Sequence, residues 1–240
     1  LNGIVKACSC NRLGRIHVPK RRKLQNKLKK QLEPHYQQQI PKTPLQQKEK
    51  GLGEIISFAD MANLTYEKLY LAEPYRSLIG LPAPNFDMMI HGEPGSGKTS
   101  FLLEFAVYLA KNHGDVLYVS SEEFGATTMI EKAKGFSEPP TNLDIVKDLK
   151  WLEKKPYKFC FIDSVNDLKL DLAQYKQLRE KYPETAFILI LQHTKAGQFR
   201  GGKEWEHEVE IGGVVDNFRI DIYRNRYGVK GSYNFYRERS

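Results

Sequence analysis

The chain has 240 residues, 40% of them hydrophobic, and its 37 Lys and Arg outnumber its 29 Asp and Glu for a net charge of +8. Residues 1–50 hold 13 cations and only two acids, Glu33 and Glu49, a balance of +11 that leaves −3 for residues 51–240. Three cysteines exclude a disulfide framework. No apolar run reaches the roughly 18 residues of a membrane span, and the first residues lack the order of a signal peptide, so the expected location is cytoplasmic with no membrane partner.

In chain order, residues 1–50 read as a basic tail or linker. Lys20-Arg21-Arg22-Lys23 opens a strongly basic stretch, and Gln37-Gln38-Gln39, Pro41, Pro44 and Gln46-Gln47 follow. Such a segment buries too little apolar surface to offset its ordering entropy. Residues 51–240 read as the folded domain. Ile55 to Leu71 suggests one or two short helices, and Pro82 and Pro84 interrupt the chain. From Phe86, strands and helices alternate. Apolar runs at Phe86–His91, Asp115–Ser120, Lys158–Asp163 and Phe187–Leu191 predict strands, and helical spacing predicts helices over Thr99–Asn112, Ala126–Lys134 and Leu168–Lys181. Phe218–Tyr223 and Tyr233–Tyr236 alternate like half-exposed strands at a sheet edge. Continuous apolar strands separated by helices predict an α/β fold with a mostly parallel central sheet flanked by helices, and antiparallel strands at the C-terminal end.

Between the first strand and its helix lies Gly92-Glu93-Pro94-Gly95-Ser96-Gly97-Lys98-Thr99, then Ser100, a complete G-x-x-x-x-G-K-[ST] loop. Its glycines let successive N–H groups face phosphates, and the helix that follows adds the positive end of its dipole. Lys98 is expected on the β- and γ-phosphates, and Thr99 on a Mg²⁺ ion. A bound triphosphate also needs a second metal anchor and a group that activates water. Asp163, at the end of Phe161-Ile162-Asp163-Ser164, has the position for the metal. The strand ending Ser120-Ser121-Glu122-Glu123 offers two carboxylates, one of which would orient water if that strand lies beside the loop strand. Gln192, in Ile190-Leu191-Gln192-His193-Thr194, is placed to sense the γ-phosphate. ATP and Mg²⁺ are the expected ligands.

Taken together, these elements resemble the RecA-type P-loop NTPase core, and most its RadA and DnaB-helicase branch, over roughly residues 75–236. The matching elements are the loop, Leu117 to Glu123, Phe161 to Ser164, Gln192 to Gly197, Glu206-His207, and Arg224-Asn225-Arg226-Tyr227-Gly228. The resemblance implies that Glu122 is the catalytic glutamate. It also implies that Arg224 and Arg226 reach a neighbouring subunit's nucleotide, in a hexameric ring or a filament. Arg224 stands where that branch has Lys, which exchanges a compact ammonium for a planar fork. Loops in the position of Thr194–Gly213 line a channel for single-stranded DNA in such assemblies. Here Lys195, Arg200 and Lys203 would meet phosphates, and Phe199 or Trp205 would stack on bases. The four-cysteine zinc finger and protease-like domain that flank the core in RadA-like proteins have no counterpart in these 240 residues, so the reading is of a minimal core.

Two function classes stand ahead of a third. One is a DNA-dependent, assembling ATPase of recombination, repair or replication, to which the basic tail would add salt-sensitive affinity. The other is a non-motor ATP-dependent switch or loader that presents a surface to a protein partner with little turnover. A small-molecule kinase would need a closing lid, and no Arg-rich lid lies between Ser120 and Asp163.

Overall fold

The computed structural model describes residues 55–192 and 204–235. The chain divides into two compact units, one through Leu64 and one from Thr65 onward. In the first, helix α1 (Phe58–Ala62) is capped by Ser57, whose hydroxyl accepts from the Asp60 N–H at 3.0 Å. The expected 1–50 segment lies outside the described residues.

The second unit is built on one eight-stranded sheet. Its elements are α2 (Tyr75–Ile79), β1 (Asp87–Gly92), α3 (Lys98–Asn112), β2 (Val116–Ser120), α4 (Thr127–Lys134) and β3 (Leu143–Val146). After a 3-10 turn at Leu149–Glu153 come β4 (Phe159–Asp163), α5 (Leu172–Lys181), β5 (Ala186–Gln192) and α6 (Glu204–Glu208). β6 (Ile211–Asp216), β7 (Arg219–Asn225) and β8 (Ser232–Asn234) complete it. The strand order is β3-β2-β4-β5-β1-β6-β7-β8, parallel through β6 and antiparallel for β7 and β8. This is the mostly parallel α/β sheet with antiparallel C-terminal strands that the residue pattern predicts.

The apolar runs are continuous because both faces of the sheet are covered, and successive side chains point to opposite faces. Met88, Ile90, Phe161, Ile188 and Ile190 pack with Phe101, Leu102, Phe105 and Leu109 of α3 on one face. Met89, Leu117, Cys160, Ile162, Phe187 and Leu189 pack with Tyr175 of α5 and Trp205 of α6 on the other. Each fully buried side chain of this size contributes about 1.5–3 kcal/mol.

Four elements differ from the sequence reading. β3 is a strand because it lies along β2, a pairing its short, partly polar run does not announce. α2 also went unseen; it is five residues long. The helix expected from Leu168 begins at Leu172, where Asp171 and Gln174 form a reciprocal cap. Residues 164–171 instead form a turn that passes through Lys169 at φ 53°. Of the expected loop Thr194–Gly213, residues 204–208 are α6 and residues 211–213 open β6. Residues 193–203, with Lys195, Phe199, Arg200 and Lys203, lie outside the described residues. Trp205 is only 4% exposed and lies against Tyr175, so it cannot serve as an open stacking platform for bases.

Candidate functional site

β1 delivers the phosphate loop to the carboxyl end of the sheet, and α3 carries it away. Gly97 stands at the N-cap of α3 with φ 101°, a backbone state that side chains rarely adopt. A Cβ there would meet the Phe218 ring at 2.8 Å. No side chain caps α3 and no acid lies in its first turn, which leaves the N–H groups and dipole of a 15-residue helix directed at the loop. The loop itself is fastened at two points. The Ser96 N–H donates to the Glu93 carbonyl at 3.2 Å, and the Phe218 N–H of the β6–β7 turn donates to the Ser96 carbonyl at 2.9 Å. The Ser96 hydroxyl is buried with no hydrogen-bond partner among the described residues, a donor placed for an anion.

Lys98 Nζ donates to the carbonyls of Gly92 at 2.9 Å and Glu93 at 2.8 Å, folded over the loop it belongs to. Burial holds its pKa down, while Asp163 and Glu93 pull it back up. Thr99 and Asp163 meet: Thr99 Oγ1 donates to Asp163 Oδ2 at 3.1 Å. Tyr118 donates to the same carboxylate oxygen at 2.9 Å. Burial raises the Asp163 pKa, and the Tyr118 and Thr99 hydrogen bonds lower it. A hydroxyl and a half-buried carboxylate side by side suit Mg²⁺, which takes few protein oxygens and keeps several waters. Among the described residues no group of three or more His, Cys, Asp or Glu is assembled as a metal cage, so any ion here would draw its other ligands from phosphate and water.

Glu122 and Glu123 follow β2, which is not beside β1. β4 and β5 lie between them, so the premise that β2 neighbours the loop strand is corrected. The glutamates reach the site through β4 instead, because Ser120 pairs with Asp163. The two carboxylates differ. Glu123 forms a 2.6 Å ion pair with Lys132. Glu122 has no ion-pair partner among the described residues: desolvation and the neighbouring Asp167 carboxyl raise its pKa, with Asp163 and Glu123 adding repulsion. Gln192 pairs with Gly92 across β5 and β1, and its Nε2 donates to Asp167 Oδ2 at 2.9 Å.

Lys98, Thr99, Glu122, Asp163 and Gln192 therefore gather at one end of the sheet with the loop Gly92–Ser100. Arg224 and Arg226 do not join them. Arg224 pairs with Gly212, which pairs with Met89. The Arg226 N–H donates to the Glu210 carbonyl at 3.0 Å, and the Glu210 N–H to the Asp87 carbonyl at 3.1 Å. Both arginines thus lie toward the amino end of β1. The full length of that strand is about 16 Å at ~3.3 Å per residue. Arg226 also donates to the His207 carbonyl at 2.9 Å.

Two members of the site escaped the sequence reading. Tyr118 is two residues before the end of β2 and in register with Phe161, so it shares a face with Asp163, a relation period-two spacing would have revealed. Asp167 stands one residue before the expected helix Leu168–Lys181, and no motif marks it.

The family described as "GvpD gas vesicle protein, P-loop domain" matches residues 83–182. The DNA repair protein RadA of Aquifex aeolicus is 32% identical over 171 residues, covering 60% of this chain and 38% of that protein. RadA of Campylobacter jejuni is 29% identical over 166 residues, covering 59% of this chain and 37% of its own length. The chain thus spans well under half the length of these curated relatives. Among solved structures, a KaiC-like protein from Pyrococcus horikoshii superposes with a TM-score of 0.47 at 17% identity, covering 70% of this chain and all of that one. The flagellar accessory protein FlaH of Methanocaldococcus jannaschii superposes at 0.48 and 14% identity, covering 70% of this chain and 92% of its own. With its complete loop and these sequence relatives, the chain is similar to the RecA-type P-loop proteins, and to RadA among them.

Proposed function

We propose that the chain binds Mg-ATP on the loop Gly92–Thr99 and hydrolyses it as a homo-oligomer, a hexameric ring or a filament, whose turnover responds to single-stranded DNA. The observation that carries this reading is the 3.1 Å meeting of Thr99 and Asp163 beside the loop lysine. In this reading, the loop amides and Lys98 hold the phosphates, after Lys98 exchanges its two carbonyl acceptors for phosphate oxygens. Mg²⁺, held between Thr99 and Asp163, would offset charge on the β- and γ-phosphates. Glu122, which has no ion-pair partner among the described residues, orients the attacking water. Gln192 contacts the γ-phosphate. Arg224 and Arg226, at the far end of the sheet from their own loop, act on a neighbouring copy, where a cation supplied in trans ties turnover to assembly.

The DNA-directed part is supported by the RadA relatives, which are named as DNA repair proteins, and by the +11 balance of residues 1–50. Among the described residues no helix is long and apolar enough to cross a membrane. A second reading, a slow ATP-dependent switch or loader, is favoured by Lys98 resting on its own loop, since those contacts must break before it can meet phosphate. The test is ATP turnover against protein concentration, with and without single-stranded DNA, using Lys98→Ala as the blank. A rate per chain that climbs with concentration and with DNA supports the assembling ATPase. Tight binding with negligible turnover under all conditions supports the switch.

A further inference from the structure

The β6–β7 hairpin walls one side of the phosphate loop, and the reading above gives it no role. The loop glycines sort by that wall. A Cβ on Gly92 would meet the Val215 carbonyl oxygen at 2.2 Å, and one on Gly97 would meet the Phe218 and Phe235 rings at 2.8 and 3.0 Å. A Cβ on Gly95 would meet nothing among the described residues within 4 Å. The first and last glycines of the loop therefore lie against the hairpin, and the middle one faces open space.

The hairpin presents Phe218 to the loop. Asp216 pairs with Arg219, so Asn217 and Phe218 form a two-residue turn, at φ 43° and 58°. Turns in which both residues need a positive φ take Asn-Gly most readily. Phenylalanine at the second place is less favourable than glycine, and its ring is engaged. It lies on Gly97 and meets the Phe235 ring edge to face, with centroids 6.0 Å apart. Phe235 in turn lies 5.4 Å from Phe101 of α3. The Phe235 N–H donates to the Phe218 carbonyl at 3.0 Å. Ring and carbonyl thus seat Phe218, and its N–H rests on the Ser96 carbonyl at 2.9 Å.

That bond decides where the next N–H points. The Ser96 carbonyl and the Gly97 N–H belong to one planar trans peptide and point in opposite directions. Holding the carbonyl against the hairpin turns the Gly97 N–H away from it, toward the side where loop amides meet phosphate. The Gly97 N–H has no acceptor within α3, because the first N–H groups of a helix have none.

We propose that Phe218 is a positioning residue that holds the Ser96–Gly97 peptide from behind, so that the Gly97 N–H is aimed at phosphate before nucleotide arrives. This rests on the reading of Gly92–Thr99 as a nucleotide site and deepens it. An aimed amide acts on ATP and ADP alike, and equally in the bound and transition states. It is therefore read in affinity and KM, not in kcat.

The experiment measures ATP and ADP affinity, KM, kcat and thermal midpoint for the full chain as wild type, Phe218→Ala, Phe218→Gly, Phe218→Leu and Lys98→Ala. The dipeptide Ser-Gly occurs once in the chain, at Ser96-Gly97. Labelling serine at its carbonyl carbon and glycine at its nitrogen therefore leaves one doubly labelled peptide, whose NMR signal reports the hydrogen bond on the Ser96 carbonyl. Phe218→Ala is expected to weaken ATP and ADP binding about tenfold, with kcat at saturation within about threefold of wild type. Its Ser96–Gly97 signal is displaced in the free protein and moves less than the wild-type signal on adding ADP. Phe218→Gly keeps the N–H and relieves the positive φ but lacks the ring, so it binds as weakly as alanine, and it carries the test if alanine unfolds the chain. Phe218→Leu refills part of the space over Gly97 and returns affinity to within about threefold of wild type. Wild-type affinity in the alanine and glycine variants overturns the proposal. So does an unmoved Ser96–Gly97 signal, a defect confined to kcat, or a leucine variant as weak as alanine. Affinity lost in Lys98→Ala but kept in every Phe218 variant removes the positioning role and leaves the nucleotide site standing. A wild type that binds neither ATP nor ADP removes the site, and the role of Phe218 with it.

Discussion

Thr99 and Asp163, 64 residues apart in the chain, meet at 3.1 Å because the helix carrying one and the strand ending in the other converge at the carboxyl end of the same parallel sheet. That convergence places a hydroxyl and a half-buried carboxylate beside Lys98, and the consequences of the proposed chemistry can be tested one residue at a time.

Lys98→Ala removes the ammonium that now bridges Gly92 and Glu93. A charged hydrogen-bond donor of this kind is worth about 1.5–3 kcal/mol, so ATP affinity should fall roughly 10- to 100-fold. Fluorescent-nucleotide titration checks it, and an unchanged affinity would separate this lysine from the phosphates.

Glu122→Gln should keep nucleotide affinity and lose turnover by about 10²–10⁴-fold, the range of positioned acid–base groups. Glu123→Gln loses a partly exposed ion pair to Lys132 and should cost turnover far less. A reversal of the two, read by phosphate release, would move the water-orienting role to Glu123.

Arg226→Ala should reduce turnover while leaving the affinity of dilute protein unchanged. Its backbone is anchored near Asp87, at the end of β1 away from the loop. Mixing it with Lys98→Ala should restore part of the activity, since each variant supplies what the other lacks. A fall in the affinity of dilute protein would mean that the arginine serves its own chain.

Asp87 lies at that same end, 2.7 Å from Arg179 and 2% exposed. Burial outweighs the arginine and raises its pKa to about 7 from an ordinary value of 3.8. A carboxyl raised in the folded state contributes stability that is complete below its unfolded pKa and is lost as pH climbs through the folded one. Urea unfolding should therefore show stability falling between about pH 4 and 7, and Asp87→Asn should flatten that part of the curve. A wild-type curve that rises over the interval would contradict the sign.

The sheet was legible because a parallel strand buried on both faces leaves no polar residue in its run, as at Met88–Ile90 and Phe187–Leu191. The loop was legible because phosphate binding there needs particular residues at fixed spacing, as with Gly97 at φ 101°. β3 was not, because three of its four residues stay partly exposed at the sheet's edge. Nor was Asp167, because it lies in the turn between β4 and the Asp171 cap, where neither strand nor helix spacing singles out a residue. Trp205 was misread because a tryptophan in a glycine-rich, basic stretch gives no sign that α6 folds it onto Tyr175.

The most direct test of the central claim is ATP affinity with and without Mg²⁺, in wild type and in Asp163→Asn, on protein whose melting midpoint is first matched. The account predicts that Mg²⁺ tightens binding to the wild type by about tenfold or more and leaves the asparagine variant nearly unmoved. An equal gain in both would contradict it, because the metal would then be held without the carboxylate that Thr99 touches.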